Sequence, residues 1–374
     1  VRAFLLGALT GAAFGVVLYK VGATRYSRVM GMLTLRDTKI MKFAFTAIGV
    51  ASLLYGLAAA AGVAEAWGVV PRVMPYMGAA HLLGGALFGI GLGVSGLCPG
   101  TCVAKAGGRG GAKKFVGTAA IAGLLAGVLL YGVIKDPLLQ AEVIATNQKP
   151  LTLHGVLGLP YAAVALAWGA LFVLVALAVD RLTKERTYEP ARPRSGWIDV
   201  VRGEWSWVAA GTIAGLLVFL ASAQGGYLGF SGALLAVTGW GAHLLGHPLE
   251  IVPRINDDIV WRAALIIGVF PGALLAAALS IRSRAAAEAP LPKVLDGAAI
   301  GRSFGAATVM SLGALVGGGC TTGAFIAAWP TLSLGSLAMA GTFFVVSMAV
   351  ANGRLLARSL DLGAAQAAGD RVYD

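Results

Sequence analysis

Ser95-Gly96-Leu97-Cys98-Pro99-Gly100-Thr101-Cys102 closes one long apolar run and opens a short Gly-rich one. Gly317-Gly318-Gly319-Cys320-Thr321-Thr322-Gly323 answers it in the other half of the chain. All three cysteines of the 374 residues lie in these two stretches. Proline is favoured at the first helical position, and Thr101 is placed to bond a free amide there. Thr321 and Thr322 offer the same after Cys320. A helix starting at either point turns unpaired N–H groups and partial positive charge toward an anion. A buried neutral thiol adds a weak S–H donor and a soft, polarizable contact. That suits a sulfur atom better than a phosphate or carboxylate oxygen. Two small cysteines packed in Gly-rich crossings would leave the same trace. The spacing of Cys98 and Cys102 also admits a redox pair or half a metal site, though no histidine lies close in sequence.

The surroundings of both stretches are too apolar for a soluble protein. Hydrophobic residues make up 58% and charged residues 12%, against roughly 45–50% and about 25% in globular domains. The 54 glycines fit membrane helices, where glycine permits close backbone approach. Three cysteines make no disulfide framework. The net charge of +12 reads as basic cytoplasmic loops rather than a nucleic-acid surface.

A span needs about 20 predominantly apolar residues. Nine candidates follow: 4–21, 43–64, 79–96, 113–134, 155–179, 205–223, 258–280, 297–318 and 333–352. The first lacks a basic leader beyond Arg2 and is followed by more spans, so it reads as a span and not a cleaved signal. Four shorter pieces, near 24–35, 99–108, 227–241 and 321–331, are rich in Gly, Ser or Thr. They are too short to cross and read as re-entrant loops ending in half-helices. Irregular backbone survives at membrane depth only where protein buries it or it lines a cavity. The expected fold is an all-α polytopic membrane protein.

The spans also repeat. Gly7, Gly11, Gly15 and Gly22 match Gly85, Gly89, Gly93 and Gly100 at one constant offset. Gly7, Gly11, Gly22 and Ser27 match Gly211, Gly215, Gly226 and Ser231 at another, and Gly91, Gly96 and Cys98 match Gly313, Gly318 and Cys320 at a third. One unit of span, Gly-rich loop, half-helix and span thus recurs four times. Residues 1–180 form a first membrane repeat, 181–204 a charged cytoplasmic linker, and 205–374 a second repeat of opposite orientation. Inverted repeats with interrupted segments at matching positions point to a midplane transport site.

With loops assigned to alternate sides, 22 of the 29 Lys and Arg fall on one side and 6 on the other, Arg302 near a span end completing the set. The basic side is expected to be cytoplasmic, with the N-terminus outside and the C-terminus inside. Lys20, Arg25 and Arg28 flank the first short piece, where they either attract anions at the inner mouth or simply obey the positive-inside rule. No Asp or Glu lies within the spans, Asp258 standing at the edge of one, which argues against a carboxylate proton relay. His243 and His247 share a helical face but have no third ligand nearby, and read as interfacial. Tyr227, Trp240 and Trp329 read as packing or interface anchors. There is no Walker loop and no dinucleotide fingerprint in a βαβ setting. The candidate substrate contacts are Cys98, Cys320 and Cys102, with Gly96, Pro99, Gly100, Thr101, Gly319, Thr321 and Thr322 around them. Thr24 and Ser231 come from the other two short pieces.

At its cysteine loops the chain resembles the YeeE/YedE family of sulfur-compound transporters, best known for thiosulfate uptake. The likeness rests on Gly85 to Thr101, on Arg302 to Gly323, and on Thr24-Arg25-Tyr26 followed by Leu35-Arg36-Asp37. It implies nine spans, four inward-pointing loops, an hourglass shape and a central line of cysteines. It also implies that the ion passes between thiols by S–H···S and S–H···O contacts. Cys98 and Cys320 match the pattern. Family members often hold another cysteine ahead of the Arg-Asp pair; Val21 to Arg36 has none, and Cys102 is extra. The expected activity is uptake of thiosulfate or a related inorganic sulfur anion across the bacterial inner membrane, without enzymatic chemistry. The alternative is a membrane sulfurtransferase. There Cys98 would carry a persulfide, since thiolates form more readily at helix N-termini, and pass sulfur to a cytosolic sulfur-carrier or sulfurtransferase protein. Neither reading needs a cofactor, a metal or nucleic acid; both need a lipid bilayer.

Overall fold

The computed structural model describes residues 1–69, 71–108, 111–145, 148–183, 197–252, 254–280 and 297–367. The first half runs α1 (Arg2–Val21), α2 (Tyr26–Leu33), α3 (Lys39–Ala60), α4 (Ala80–Ser95), α5 (Pro99–Gly107), α6 (Gly111–Gln140), α7 (Leu153–Leu157) and α8 (Tyr161–Thr183). The second runs α9 (Trp197–Arg202), α10 (Trp207–Ala223), α11 (Phe230–Leu244), α12 (Asp257–Leu279) and α13 (Gly297–Val316). A π-helix (Thr321–Ala327), a 3-10 turn (Trp329–Thr331) and α14 (Leu334–Ala367) close it. Outside the helices the described residues form two isolated bridges, Tyr76 with Lys149 and Thr152 with Ser333.

Among the described residues, eight stretches are long and apolar enough to cross a membrane, counting Ala80–Gly107 as one. The chain is thus an all-helical, multi-pass membrane protein. Nine spans were expected, and the sixth, 205–223, is the exception. It appears as α10, only 17 residues long, which rises about 25 Å against a hydrocarbon core of roughly 30 Å. Other boundaries moved for local reasons. The span expected at 43–64 begins at Lys39, because Lys39 and Lys42 are buried against carboxylates. Lys42 Nζ lies 2.8 Å from Asp180 Oδ1 and Lys39 Nζ 3.3 Å from Glu204 Oε2. The span expected from 155 begins at Tyr161, because Gly158 takes a left-handed conformation and Pro160 follows it. The four short pieces match α2, α5, α11 and the π-helix closely.

The helices pair across the two halves in a reciprocal pattern. α1 packs along α12, while α10 packs along α3. α4 packs along α14, while α13 packs along α6. The recurring glycines make these pairings possible. Gly7, Gly11 and Gly15 rest on the carbonyls of Trp261, Leu265 and Val269, and a Cβ at Gly11 would stand 1.9 Å from the Leu265 oxygen. Gly268 and Gly272 return the contact against Ala8 and Ala12. Gly211 and Gly215 rest likewise on Phe43 and Ala47, and Gly85, Gly89 and Gly93 on Met339, Phe343 and Ser347. With no side chain between them, the backbones meet directly and gain dispersion contacts that lipid cannot supply.

The basic residues near α2 are matched by acids. Glu204 receives Arg25, Arg28 (3.7 Å) and Lys39, while Arg28 also binds Asp37 at 2.6 Å. Lys20 donates to the carbonyls of Val201 and Gly203. These cations therefore hold the start of the second half against the first unit and are not idle anion receptors. Of the expected linker 181–204, residues 184–196 lie outside the described residues; its far end is α9 followed by the docked Glu204.

Candidate functional site: two capping cysteines at meeting helix starts

α4 ends because Gly96 turns left-handed, with φ 61°. Ser95 secures the turn: its Oγ donates to the Gly91 carbonyl at 2.8 Å and accepts the Leu97 N–H at 3.2 Å. Two residues on, Cys98 caps α5 in an extended conformation, φ −106° and ψ 170°, with Pro99 at the first helical position. The Cys98 N–H donates to Thr101 Oγ1 at 2.6 Å, and that hydroxyl lies within reach of the Cys98 carbonyl (2.9 Å) and thiol (3.4 Å). Thr101 thus bonds the capping residue's own amide, a capping box built with threonine. Cys102 follows one turn later, its N–H bonded to the Cys98 carbonyl at 2.8 Å. It is wholly buried, whereas Cys98 retains 9% exposure.

The second loop repeats this plan. Gly318 turns left-handed with φ 85°. Cys320 then caps the π-helix at φ −114° and ψ −176°, its Sγ accepting the Gly323 N–H at 3.4 Å. The same thiol faces the backbone N–H groups of Phe230 and Ser231, at the start of α11. Ser231 and Thr322 are buried, and the Thr321 hydroxyl is buried with no hydrogen-bond partner. Gly319 admits the methyl of Met74, which would stand 2.7 Å from a Cβ there.

Close contacts bring the four short helices together at their N-terminal ends. A Cβ at Gly100 would stand 2.4 Å from the Phe230 ring, one at Gly229 3.4 Å from Gly323 Cα, and one at Gly96 2.6 Å from the Tyr26 ring and 3.2 Å from Met30. Tyr227 donates from its hydroxyl to the Gly323 carbonyl. Cys98 lies within electrostatic range of both Cys320 and Cys102. The residues expected around the thiols on α5, α11 and the π-helix are therefore neighbours in space. Thr24 is the one left aside. It sits part-exposed in the turn before α2, and Tyr26 and Met30 make this unit's contact with the Cys98 loop.

Some contributors had little signal in the sequence. His81, fully buried, accepts the Met77 N–H at Nε2 (2.9 Å) and donates from Nδ1 to the Gly317 carbonyl (2.9 Å). That pattern requires the neutral ring with its proton on Nδ1. The imidazole ties the 61–79 connection to the residue just before Gly318. Tyr227, expected as an anchor, instead bonds the cysteine-bearing π-helix. Among the described residues no group of three or more His, Cys, Asp or Glu is placed to hold a metal ion.

The chain is similar to known proteins over most of its length. Thiosulfate transporter TsuA of Spirochaeta thermophila is 24% identical over 355 residues, covering 91% of this chain and 95% of that protein. A family profile described as sulphur transport matches residues 26–349. That match runs from the start of α2 through most of α14 and takes in both cysteine loops, so the chain belongs to the sulphur-transport family.

Proposed function

We propose that the protein takes up thiosulfate or a related inorganic sulfur anion across the bacterial inner membrane. The pathway runs between the starts of the four short helices, which act as re-entrant half-helices. Cys98 is the main contact and Cys320 the second; Cys102 lies deeper. Thr101, Thr321, Thr322 and Ser231 supply oxygens, and Gly96, Pro99, Gly100 and Gly319 shape the backbone. The two halves form inverted repeats, with the N-terminus outside and the C-terminus in the cytoplasm. The reciprocal pairing of α1 with α12 and of α10 with α3 supports this, as does the same exchange between α4, α6, α13 and α14.

One observation carries the reading. In a family of sulphur transport, two cysteines from opposite halves cap two short helices in the same extended conformation and lie within range of each other. Neutral thiols at helix starts offer an anion soft sulfur contacts and weak donors without fixing it by charge. Such binding is firm enough to select and weak enough to release. The test is uptake of labelled thiosulfate by cells lacking their own sulfur routes, with and without this gene, followed by flux into liposomes holding the purified protein. Flux with unmodified thiols supports transport. A stable persulfide on Cys98 without flux would replace it with sulfur transfer.

A further inference from the structure

We propose that a cleft at the end of α3 holds one acyl chain of a phospholipid, whose ester carbonyl is taken by His154. The cleft encloses about 240 Å³ between α3, the 61–79 connection, α7, the start of α8 and the 3-10 turn. Ala59, Ala64, Val69, Pro71 and Val73 make most of its wall. Apolar cavities of roughly 150 Å³ already stay dry and take up a guest as large as benzene. Water therefore gains little in this larger space, whereas a hydrocarbon chain gains contacts along its length. Three of the four remaining lining residues have their polar groups engaged. The Tyr55 hydroxyl is bonded to Ser222, the Tyr161 hydroxyl donates to the Pro330 carbonyl at 3.1 Å, and Thr331 Oγ1 donates to the Ala328 carbonyl at 2.8 Å.

His154 is the exception. Its ring stands edge-on to Tyr161 at 5.2 Å between centroids, and its Nδ1 is buried with no hydrogen-bond partner among the described residues. An orphaned buried donor is rarer than an under-satisfied acceptor. The proton therefore belongs on Nε2, which leaves the wall one N–H to give. A run of methylenes ending in an ester carbonyl matches this arrangement, with carbon for the apolar wall and one acceptor for one donor. Position selects the same occupant. α3 has 22 residues, enough to cross the bilayer, so its end lies near the membrane boundary. Trp67 and Leu157, each three residues from a lining residue, Ala64 and His154, are exposed. A tryptophan with apolar neighbours at that level anchors among the headgroups. The cleft thus continues the lipid-facing surface inward. A lipid held here is independent of the ion that the protein carries.

The experiment strips the purified protein of lipid and adds back dioleoyl phosphatidylethanolamine or oleate. Bound lipid is read by native mass spectrometry, and melting temperature is read in detergent. Wild-type protein is expected to retain one phospholipid more tightly than the rest of its lipid shell and to melt higher with it. Ala59→Phe, which fills the cleft, is expected to weaken that one binding step at least about tenfold, without lowering the melting temperature of the lipid-free protein. His154→Leu is expected to weaken it about three- to tenfold, as loss of one hydrogen bond would. His154→Gln keeps an N–H and is expected to restore part of the loss. A merely structural role for His154 predicts a lower melting temperature of lipid-free His154→Leu with lipid affinity unchanged. Should Ala59→Phe fail to fold, the two His154 variants decide. Equal phospholipid retention by the wild type and all folded variants overturns the site. So does preferential binding of oleate, which makes the occupant a free fatty acid, and so does a dimer that Ala59→Phe dissociates, in which a second copy covers the cleft.

Discussion

The Cys98 and Cys320 loops share a plan and differ in how they are held. Both follow a left-handed glycine by two residues, and both place the cysteine as an extended cap. The Cys98 loop is closed by its own residues, Ser95 and Thr101, and continues into a regular α-helix. The Cys320 loop is closed from outside. His81 holds Gly317, Met74 and Met77 cover Gly318 and Gly319, and Tyr227 bonds Gly323. It continues into a π-helix, a form concentrated at functional sites. The hydrogen bonds that close the first cap are thus local, while those that hold the second come from distant parts of the fold. The former keeps slight exposure and the latter none. That difference makes the Cys320 loop the one sensitive to change elsewhere in the fold.

The strongest test of this dependence is His81→Leu. It strands a buried N–H at Met77 and leaves the Gly317 carbonyl without its donor, at roughly 1–3 kcal/mol for each group left unsatisfied. Thermal unfolding in detergent is expected to show a loss of about 2–6 kcal/mol, with faster maleimide labelling of Cys320 and little change at Cys98. Equal gains at both cysteines would show that the loops are coupled after all. Next, Cys98→Ser keeps the cap and removes the soft contact; uptake per folded molecule is expected to fall more than about tenfold, which corresponds to ~1.4 kcal/mol. Full activity in that variant would end the thiol-contact proposal and leave an anion site of backbone amides alone. Cys320→Ser is expected to lower uptake several-fold less than Cys98→Ser, since the unpartnered Thr321 hydroxyl remains beside it. Thr101→Val removes the local closure of the Cys98 loop and should cost about 1 kcal/mol of stability, visible as a lower melting temperature without a change at Cys320. The smallest effect is expected for Cys102→Ser. Its new hydroxyl can bond the Cys98 carbonyl one turn back, so labelled uptake should stay within about twofold.

The legible and illegible parts of this molecule divide along the same line. Helix class, the short interrupted segments and the cysteine caps could be read directly. Apolar run length, glycine, proline and threonine at a helix start are local signals, and they act locally at Gly96, Pro99 and Thr101. Recurrent glycines could be read as points of close backbone approach, although their partners, the carbonyls of helices far along the chain, could not. Burial of Lys39 and Lys42 was hidden because Glu204 and Asp180, which make it tolerable, lie more than a hundred residues away. The part played by His81 was hidden for the same reason, its acceptor being Gly317. Thr24 stands part-exposed in the turn before α2, and which side chains of that unit reach the Cys98 loop, Tyr26 and Met30, depends on tertiary packing that no local signal carries.

The exchange of helices between halves has a consequence for how the protein is made. As the chain leaves the ribosome, α1 presents Gly7, Gly11 and Gly15 to lipid, and their partner carbonyls on α12 do not yet exist. The same holds for the faces of α3 and α4 that receive α10, α13 and α14. Within the first half α3 can pack along α8 at once, whereas α1 and α4 must wait in the bilayer for partners from the second half. A nascent chain stopped after Thr183 keeps the α3–α8 pair but leaves α1 and α4 without partners, and is a substrate for membrane quality control, not a half-sized transporter.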